Sequence, residues 1–265
     1  MSDLPKPSIL SQKYYSAPSV FRPENLLREA RRQKSIPECD IPEVCILDPD
    51  GDIVEYLKKT GKASINRCWP CYHTRMYQFE HQGIDIGIIG QAVGASFAVL
   101  LAEQMFVSGC ELLISITSSG TIAPPANGAK FILIEESLRD EGTSYHYLPP
   151  GQPAKIDPEL LDKLTSLRDA PDLPVSIGKS WTTDAPYRET GSAIDYAKQQ
   201  GIAAVEMEAA ALYAFGQARQ KPVICFAHLT NTMAREAEDF EKGLENGSID
   251  ALQLIAKTIF RIYPK

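Results

Sequence analysis

The strongest constraint on the fold comes from the stretch that runs from Ile84 to Thr117. Ile84–Gly90 is a short, mostly apolar run of the kind that forms a buried strand, and Glu111–Thr117 is a second run of this kind. Between them, Ala95–Val107 has the length and composition of an apolar helix, which Gly109 ends. Two buried strands joined by a helix predict a βαβ unit with parallel strands and a right-handed crossover.

The rest of the chain continues this alternation. Further strands are predicted at Phe131–Glu135, Val175–Trp181, Ile202–Glu206 and Pro222–Thr230. Further helices are predicted at Pro158–Arg168, Gly191–Gln200, Met207–Arg219 and Asp250–Ile262, the last with Ser248 as its N-cap. Because no linker or repeat divides the chain, we expect one α/β domain over residues 43–265, with a mixed, mostly parallel sheet between helical layers. Residues 1–42 are rich in proline and charge, and we expect them to form an arm or capping segment with one short helix from Pro23.

Charge and hydropathy exclude several classes of protein. The 265 residues include 27 basic and 34 acidic side chains, a formal net charge of −7, so we expect no binding to nucleic acid or to an anionic membrane. The uncharged stretch at 86–102 is too short and too rich in glycine for a membrane span. The first residues contain no apolar core of a secretory signal. We therefore expect a cytoplasmic protein whose six cysteines are reduced thiols.

A glycine-rich turn lies at 87–95, between the first predicted strand and the helix. Backbone N–H groups at the start of a helix suit an anion or the polar edge of a ligand, although a tight turn alone also explains the glycines. The G-x-G-x-x-G spacing of a dinucleotide site is absent, and Glu111 opens the next strand instead of ending it. This turn is the only sequence feature that supports the hypothesis of a dinucleotide-dependent oxidoreductase.

Cys68 and Cys71 have the C-x-x-C spacing of a redox motif or of half a zinc site, and His73 follows them. Zinc needs four ligands, and no second C-x-x-C or H-x-x-x-H motif occurs. We therefore interpret this segment as a structural loop and expect no metal.

Hydroxyl and carboxylate side chains stand at the ends of two predicted strands. Ser118 and Ser119 follow the strand at Glu111–Thr117, and open α/β sheets bind ligands outside the carboxyl ends of their strands. Glu206 and Glu208 lie at a strand-to-helix junction with apolar flanks. Because a buried carboxylate is costly unless it is hydrogen bonded or paired, these acids predict a polar site; a solvated acidic helix start is the alternative.

Three segments together resemble the nucleoside phosphorylase and nucleosidase superfamily. They are Gly-Gln-Ala-Val-Gly-Ala at 90–95, Ser-Ser-Gly at 118–120 and Val-Glu-Met-Glu-Ala-Ala at 205–210, in this order. The resemblance covers most of the chain. It implies a three-layer α/β/α fold and cleavage of the N-glycosidic bond of a nucleoside. It also implies a homo-oligomer, either a dimer or a hexamer, and no cofactor, with phosphate as a possible co-substrate.

The resemblance assigns a sugar site residue by residue. Glu208 matches the glutamate that holds the ribose hydroxyls, Met207 the methionine packed against the sugar, and Glu206 the glutamate near the 2′-hydroxyl. Ser118 and Ser119 match the Ser/Thr pair beside the sugar and the nucleophile. A carboxylate held on the sugar hydroxyls would stabilise the positive charge that develops on the sugar during cleavage.

Base recognition is assigned in the same way. Tyr187 and Arg188 match the wall over the base and the sugar, so Tyr187 is expected to stack on the base and Arg188 to reach a carbonyl or an anion. His146 lies in the loop expected to line the pocket. Asn231 stands where a hydrogen bond to a purine N7 or a pyrimidine carbonyl is expected.

The sequence departs from the family pattern at the nucleophile. Leu-Asp-Pro-Asp-Gly-Asp replaces the family's Gly-Asp-Pro-x-Arg, and Ser115 replaces the arginine before the Ser/Thr pair, so two of three phosphate-binding arginines are missing. Arg67 and Arg75 lie in the region of the third, and Arg75 and Gly94 are the candidates for contact with phosphate or the nucleophile. Asp48 and Asp50 are candidate general bases for water.

Three functions follow from these residues. Phosphorolysis to a free base and a sugar 1-phosphate comes first, because it is the commoner activity of the family. Hydrolysis is the alternative that the missing arginines favour. The third possibility is a protein that binds a nucleoside without turning it over.

Overall fold

A mixed β-sheet forms the centre of the computed structural model, which describes residues 8–125, 128–170, 172–232 and 242–264. The strands of these ranges are β1 Val44–Asp48, β2 Ser64–Ile65, β3 Tyr77–His81, β4 Ile84–Gly90, β5 Leu112–Thr121, β6 Phe131–Asp140, β7 Ala154–Lys155, β8 Val175–Thr183, β9 Ile202–Glu206 and β10 Val223–Thr232. The helices are α1 Pro23–Lys34, α2 Asp52–Lys59, α3 Ala95–Phe106, α4 Pro158–Leu164, α5 Gly191–Gln199, α6 Ala209–Arg219 and α7 Ser248–Ile262. The predicted mixed α/β architecture is confirmed.

Part of the sheet closes on itself. The strand order is β10-β6-β8-β9-β5-β1-β4-β3-β2, and β10 also pairs with β5, so β5, β9, β8, β6 and β10 form a ring. The ladders β1–β4, β1–β5, β5–β10, β6–β8 and β8–β9 are parallel. The predicted mixed, mostly parallel sheet did not include this ring. It forms because β5 is longer than predicted: its first half pairs with β1, and its last residues, Gly120 and Thr121, pair with β9.

The helices pack in two groups. Helix α3 packs against α6 and α1, whereas α7 packs against α2 and α4. Every residue of α6 from Ala209 to Gly216 is buried. A helix that is apolar all round is stable only inside a protein, which explains why this one lies between the sheet and α3.

Two predicted helix starts were wrong. Helix α6 begins at Ala209 rather than Met207, because Glu208 is its N-cap and has non-helical dihedral angles. Helix α7 begins at Ser248, and Gly247 in the left-handed conformation is its N-cap, so Ser248 does not cap it. The strands predicted at Ile84–Gly90 and Ile202–Glu206 are confirmed to the residue.

A disulfide bond joins Cys39 to Cys68, so the expectation of six reduced thiols was wrong for this pair. The bond forms because α1 folds back onto the loop of Cys68: the Lys34 ammonium donates to the carbonyls of Pro70 and Cys71, 3.0 and 2.5 Å away. The disulfide thereby ties the predicted arm to the predicted domain. The other four cysteines, 45, 71, 110 and 225, are free and buried.

The uncharged stretch at 86–102 divides between the end of β4, a turn and the first part of α3. Within the described ranges, no helix has the length and apolar character needed to cross a membrane.

Candidate active site

Three chain segments bring polar side chains to one edge of the sheet. Glu206 ends β9 and Glu208 precedes α6, Ser118 lies near the end of β5, and Asp50 follows β1. Gly94 adds the N-terminus of α3. The carboxyl ends of neighbouring strands therefore meet the N-termini of two helices, which is where ligands bind in sheets of this kind.

Glu206 is buried, and hydrogen-bond donors surround both of its carboxylate oxygens. Its Oε2 accepts from the backbone N–H groups of Glu208 and Ala209, each 2.7 Å away, at the start of α6. Its Oε1 accepts from the hydroxyls of Ser180, at 3.0 Å, and Thr182. The carboxylate thus fixes the first turn of α6 to β8, and the helix dipole favours its negative charge.

Glu208 has a different environment. Its side chain is 1% exposed, and its Oε1 accepts a hydrogen bond of 2.7 Å from the N–H of Gly94. Its Oε2 is buried and has no partner in the part of the chain that the structure describes. A buried carboxylate oxygen without a donor is costly, so this atom is placed to accept from a ligand.

The two glutamates titrate as a coupled pair. Burial raises the pKa of Glu208 to about 8, and the charge of Glu206 adds to this, against the lowering effect of the Gly94 N–H. The hydroxyl of Thr117 lies nearby, but it donates to the carbonyl of Ser118 and leaves Oε2 of Glu208 without a donor. Burial also raises the pKa of Glu206, against the donors on its oxygens. Since Glu206 has more donors, the negative charge of the pair is more stable there, and Glu208 is the member that carries the proton.

Asp50 contacts the predicted nucleophile site directly. Its Oδ2 accepts from the N–H of Ser118 at 2.8 Å, and its Oδ1 accepts from the hydroxyl of the same serine at 2.7 Å. The ammonium of Lys242 lies 3.4 Å from Oδ1 of Asp50 and 2.5 Å from Oδ2 of Asp52. Asn246 donates to the other oxygen of Asp52 at 2.9 Å.

Lys242 remains a cation in this cluster. Burial alone would lower its pKa, but the hydrogen bond to Asp52 and the charges of Asp50 and Asp52 outweigh burial and raise it. Counted over the described residues, one lysine between Asp50 and Asp52 leaves two carboxylates to one ammonium.

Asp48 serves the turn between β1 and α2. Its carboxylate is buried and accepts from the N–H groups of Gly51, at 3.2 Å, and Val54, at 3.0 Å. Burial raises the pKa of Asp48 to about 7, and the negative charges of Asp50 and Asp52 raise it further. The two backbone hydrogen bonds act in the opposite direction and lower it. Of the two acids predicted as a general base, Asp50 is therefore the one that contacts Ser118.

The turn also explains why the first arginine of the family pattern is missing. Gly51 stands two residues after the Pro49 of this motif and has a φ of +84°, where an L-residue is strained. A Cβ atom there would lie 2.8 Å from Cγ of Gln91. Ser115, at the place of the second arginine, is buried in β5.

Two residues predicted beside the nucleophile have other partners. The hydroxyl of Ser119 donates to the carbonyl of His228 at 2.9 Å, so it joins β5 to β10. The N–H of Gly94 donates to Glu208 and so holds this glutamate, while contact between Gly94 and phosphate or the nucleophile stays a prediction.

Arg75 is exposed and is not bonded to Ser118 in the described residues. It borders a cavity of about 250 Å³ whose other walls include Gly51, Gly90 and Gln91, next to the turn of Asp50. Contact between Arg75 and phosphate remains a prediction.

The predicted base-binding residues lie at the surface. Tyr187 is 99% exposed and Arg188 is exposed beside it, in a short 3₁₀ turn after β8. His146 is bonded through Nδ1 to Lys13 at 3.0 Å, and it lines a groove between the N-terminal segment and the helices α3 and α6. Burial and then the charge of Lys13 lower the pKa of His146.

The backbone of Asn231 pairs with Gly120 of β5, and its side chain lies outside the described part of the structure. Met207 is half-buried between the two glutamates in the sequence. The roles of both residues stay predictions.

Sequence reasoning missed three contributors to the site. Lys242 has no motif around it that marks it, and it reaches Asp50 only because the chain returns to this edge after β10. Ser180 belongs to β8, and its contact with Glu206 depends on the register between β8 and β9. The resemblance places Thr182 at the start of the wall segment, residues 182–190, which also contains Tyr187 and Arg188, but it does not indicate that Thr182 binds Glu206.

Among the described residues, no group of three or more His, Cys, Asp or Glu side chains is placed to hold a metal ion.

A family model described as the Phosphorylase superfamily matches residues 43–260, which is most of the chain. The chain belongs to this superfamily. The match includes the strands and helices that carry Asp50, Ser118, Glu206 and Glu208.

Curated relatives are distant. The chain is 26% identical over 186 residues to a guanosine phosphorylase of Halorubrum lacusprofundi, a match that covers 69% of this chain and 75% of the relative. It is 24% identical over 187 residues to a uridine phosphorylase of Thermococcus kodakarensis, covering 62% and 68%. The superfamily is thus shared with enzymes named for different bases.

Solved structures confirm the fold. The uridine phosphorylase of Vibrio fischeri ES114 superposes with a TM-score of 0.69 at 18% identity, covering 87% of this chain and 97% of that one. The purine nucleoside phosphorylase of Toxoplasma gondii, solved with immucillin-H, gives 0.69 at 17% identity, covering 84% and 93%.

Proposed function

We propose that this protein cleaves the N-glycosidic bond of a nucleoside. The observation that carries the proposal is the free Oε2 of Glu208, which is buried at the edge of the sheet while Oε1 is held by Gly94. An acceptor of this kind fits the hydroxyls of a sugar, and binding them supplies the donors that the protein does not give to Oε2.

The assigned roles follow from the contacts. Glu208 binds the sugar hydroxyls, and Met207 packs against the ring. Glu206 is a positioning residue in this proposal, because four close donors already occupy its oxygens. This replaces its expected contact with the 2′-hydroxyl.

Hydroxyl binding also ionises Glu208. Donors that reach Oε2 stabilise the charged form and lower the pKa of this glutamate towards its ordinary range. The ionised carboxylate then lies against the sugar as positive charge develops on it, which stabilises the transition state more than the ground state.

Phosphorolysis is the reaction that the relatives favour, since those named above are phosphorylases. A phosphate oxygen would attack the anomeric carbon, the bond to the base nitrogen would break with its electron pair leaving on the base, and a proton taken from solvent water would complete the free base. The N–H and hydroxyl of Ser118 are the donors placed for the attacking anion.

Hydrolysis is a second candidate, and Asp50 is the observation that favours it. This carboxylate lies on the donors of Ser118, where it is placed to take a proton from an attacking water. The products would be the free base and the free sugar.

The sugar product distinguishes the two reactions. The enzyme is incubated with a purine and a pyrimidine ribonucleoside in phosphate-free buffer, and then with added phosphate, and the sugar is identified by NMR. Sugar 1-phosphate formed only with phosphate supports phosphorolysis, whereas free sugar at an unchanged rate supports hydrolysis. Tight nucleoside binding without release of base under either condition would contradict catalysis and leave a binding protein.

We also propose that the protein is a homo-oligomer, a dimer or a hexamer, as the resemblance implies. Tyr187, Arg188 and Asn231 remain the proposed contacts to the base.

A further inference from the structure

The nucleophile site contains an anion that belongs to the protein. The N–H and the hydroxyl of Ser118 point to the two oxygens of one carboxylate, that of Asp50. Two donors on one residue, each bonded to a separate oxygen of the same group, are an arrangement that also suits two oxygens of phosphate.

Lys242 supplies the cation next to this carboxylate. Its side chain is 14% exposed, and its ammonium lies within ion-pair distance of Asp50. It is bonded more closely to Asp52, which is held by Asn246 and makes no hydrogen bond to Ser118 within the described part of the chain. Asp50 thus bridges the donors of Ser118 and the charge of Lys242.

We propose that Asp50 is an internal competitor for phosphate, which occupies the anion subsite formed by Ser118 and Lys242 and sets the choice between phosphate and water. That this subsite receives the nucleophile rests on the proposed function. The occupation itself rests on the contacts of Asp50.

The proposal has a physical consequence for the nucleophile. A phosphate dianion must displace Asp50 from Ser118 and then lie close to its negative charge, whereas a neutral water needs neither step. The intact site therefore binds phosphate weakly, and loss of the Asp50 carboxylate exposes two donors and leaves Lys242 with one counter-charge fewer.

Direct binding tests this without turnover. Inorganic phosphate is titrated by calorimetry into the wild type, Asp50→Ala and Asp52→Ala, with no nucleoside present. Asp52→Ala is the matched control, because it removes one carboxylate from the same lysine but leaves Ser118 occupied. We expect Asp50→Ala to bind phosphate at least tenfold tighter than the wild type, and Asp52→Ala to change the affinity less than threefold.

The double variant Asp50→Ala with Lys242→Gln tests the role of the cation. We expect its affinity for phosphate to return to that of the wild type. Equal affinities of Asp50→Ala and Asp52→Ala would overturn the proposal, since net charge alone would then account for the effect. Retention of the gain in the double variant would overturn the role of Lys242. Circular dichroism and thermal unfolding establish that each variant is folded.

This result is separate from the proposed function. If no nucleoside is cleaved while Asp50→Ala still binds phosphate tightly, the proposed catalysis fails and the internal competitor stands. If nucleosides are cleaved and Asp50→Ala gains no phosphate affinity, the proposed catalysis stands and the internal competitor fails.

Discussion

Replacement of Glu208 by Gln should make the protein more stable and much less active. In the folded protein the pKa of this carboxyl is raised from 4.5 to about 8, so between these pH values the native state holds a proton that the unfolded state has lost. Stability then falls as the pH rises through this window, and the full benefit of the neutral form is present below pH 4.5.

The size of the effect follows from the two pKa values. Each pKa unit of difference between the folded and the unfolded state corresponds to about 1.4 kcal/mol. As the pH rises from 4.5 to 8, titration of this carboxyl should therefore lower the free energy of unfolding by roughly 3–5 kcal/mol. Glutamine keeps an oxygen for the N–H of Gly94 but does not titrate. The variant should therefore match the wild type near pH 4.5 and exceed it by this amount near pH 8.

Urea denaturation followed by tryptophan fluorescence, at intervals from pH 4.5 to 8, measures this difference. Groups that do not interact with Glu208 titrate alike in both proteins, so the difference reports Glu208 together with its coupling to Glu206. A constant difference across the window would refute the conclusion that this carboxyl is buried and protonated in the folded protein without nucleoside bound in the assay.

Activity should move in the opposite direction. Two hydrogen bonds from sugar hydroxyls to a charged acceptor are worth about 1.5–3 kcal/mol each, so their weakening predicts a fall of roughly 10²–10⁴ in kcat/KM. Near-normal turnover by the folded variant would remove Glu208 from the sugar site.

Three further predictions concern stability and assembly. Glu206→Ala should lower the free energy of unfolding by about 3–5 kcal/mol in urea, because it leaves the buried N–H groups of Glu208 and Ala209 without acceptors; a loss under 1 kcal/mol would show that the carboxylate does not organise α6. Cys39→Ser should cost roughly 3–4 kcal/mol, from the loop entropy of a bond that spans 29 residues. Dithiothreitol should destabilise the wild type to the same level and leave Cys39→Ser unchanged, and an unaffected wild type would contradict the disulfide. Light scattering should give the mass of a dimer or a hexamer, and a monomer at assay concentration would count against assembly.

Local patterns were sufficient for the elements that carry the site. The strands at Ile84–Gly90 and Ile202–Glu206 were predictable because their apolar runs are bounded by turn residues, and both matched the structure. The pair of glutamates with apolar flanks correctly predicted buried acids in need of donors. These features depend on residues that are close in the sequence.

The rest depends on contacts between distant segments. Nothing local indicates that Lys242 meets Asp50, or that Cys39 meets Cys68. The choice between Asp48 and Asp50 as the acid of the site was also open, because only the turn shows that Asp48 binds the backbone of Gly51 and Val54.

The central claim is that Glu208 binds the sugar of a nucleoside that the enzyme cleaves. Release of free base, measured by chromatography for the wild type and Glu208→Gln on a panel of purine and pyrimidine ribonucleosides with phosphate present, tests it most directly. We predict release by the wild type from at least one ribonucleoside and a loss of at least a hundredfold in the variant. Absence of release from every ribonucleoside, or equal release by the two proteins, would contradict the account.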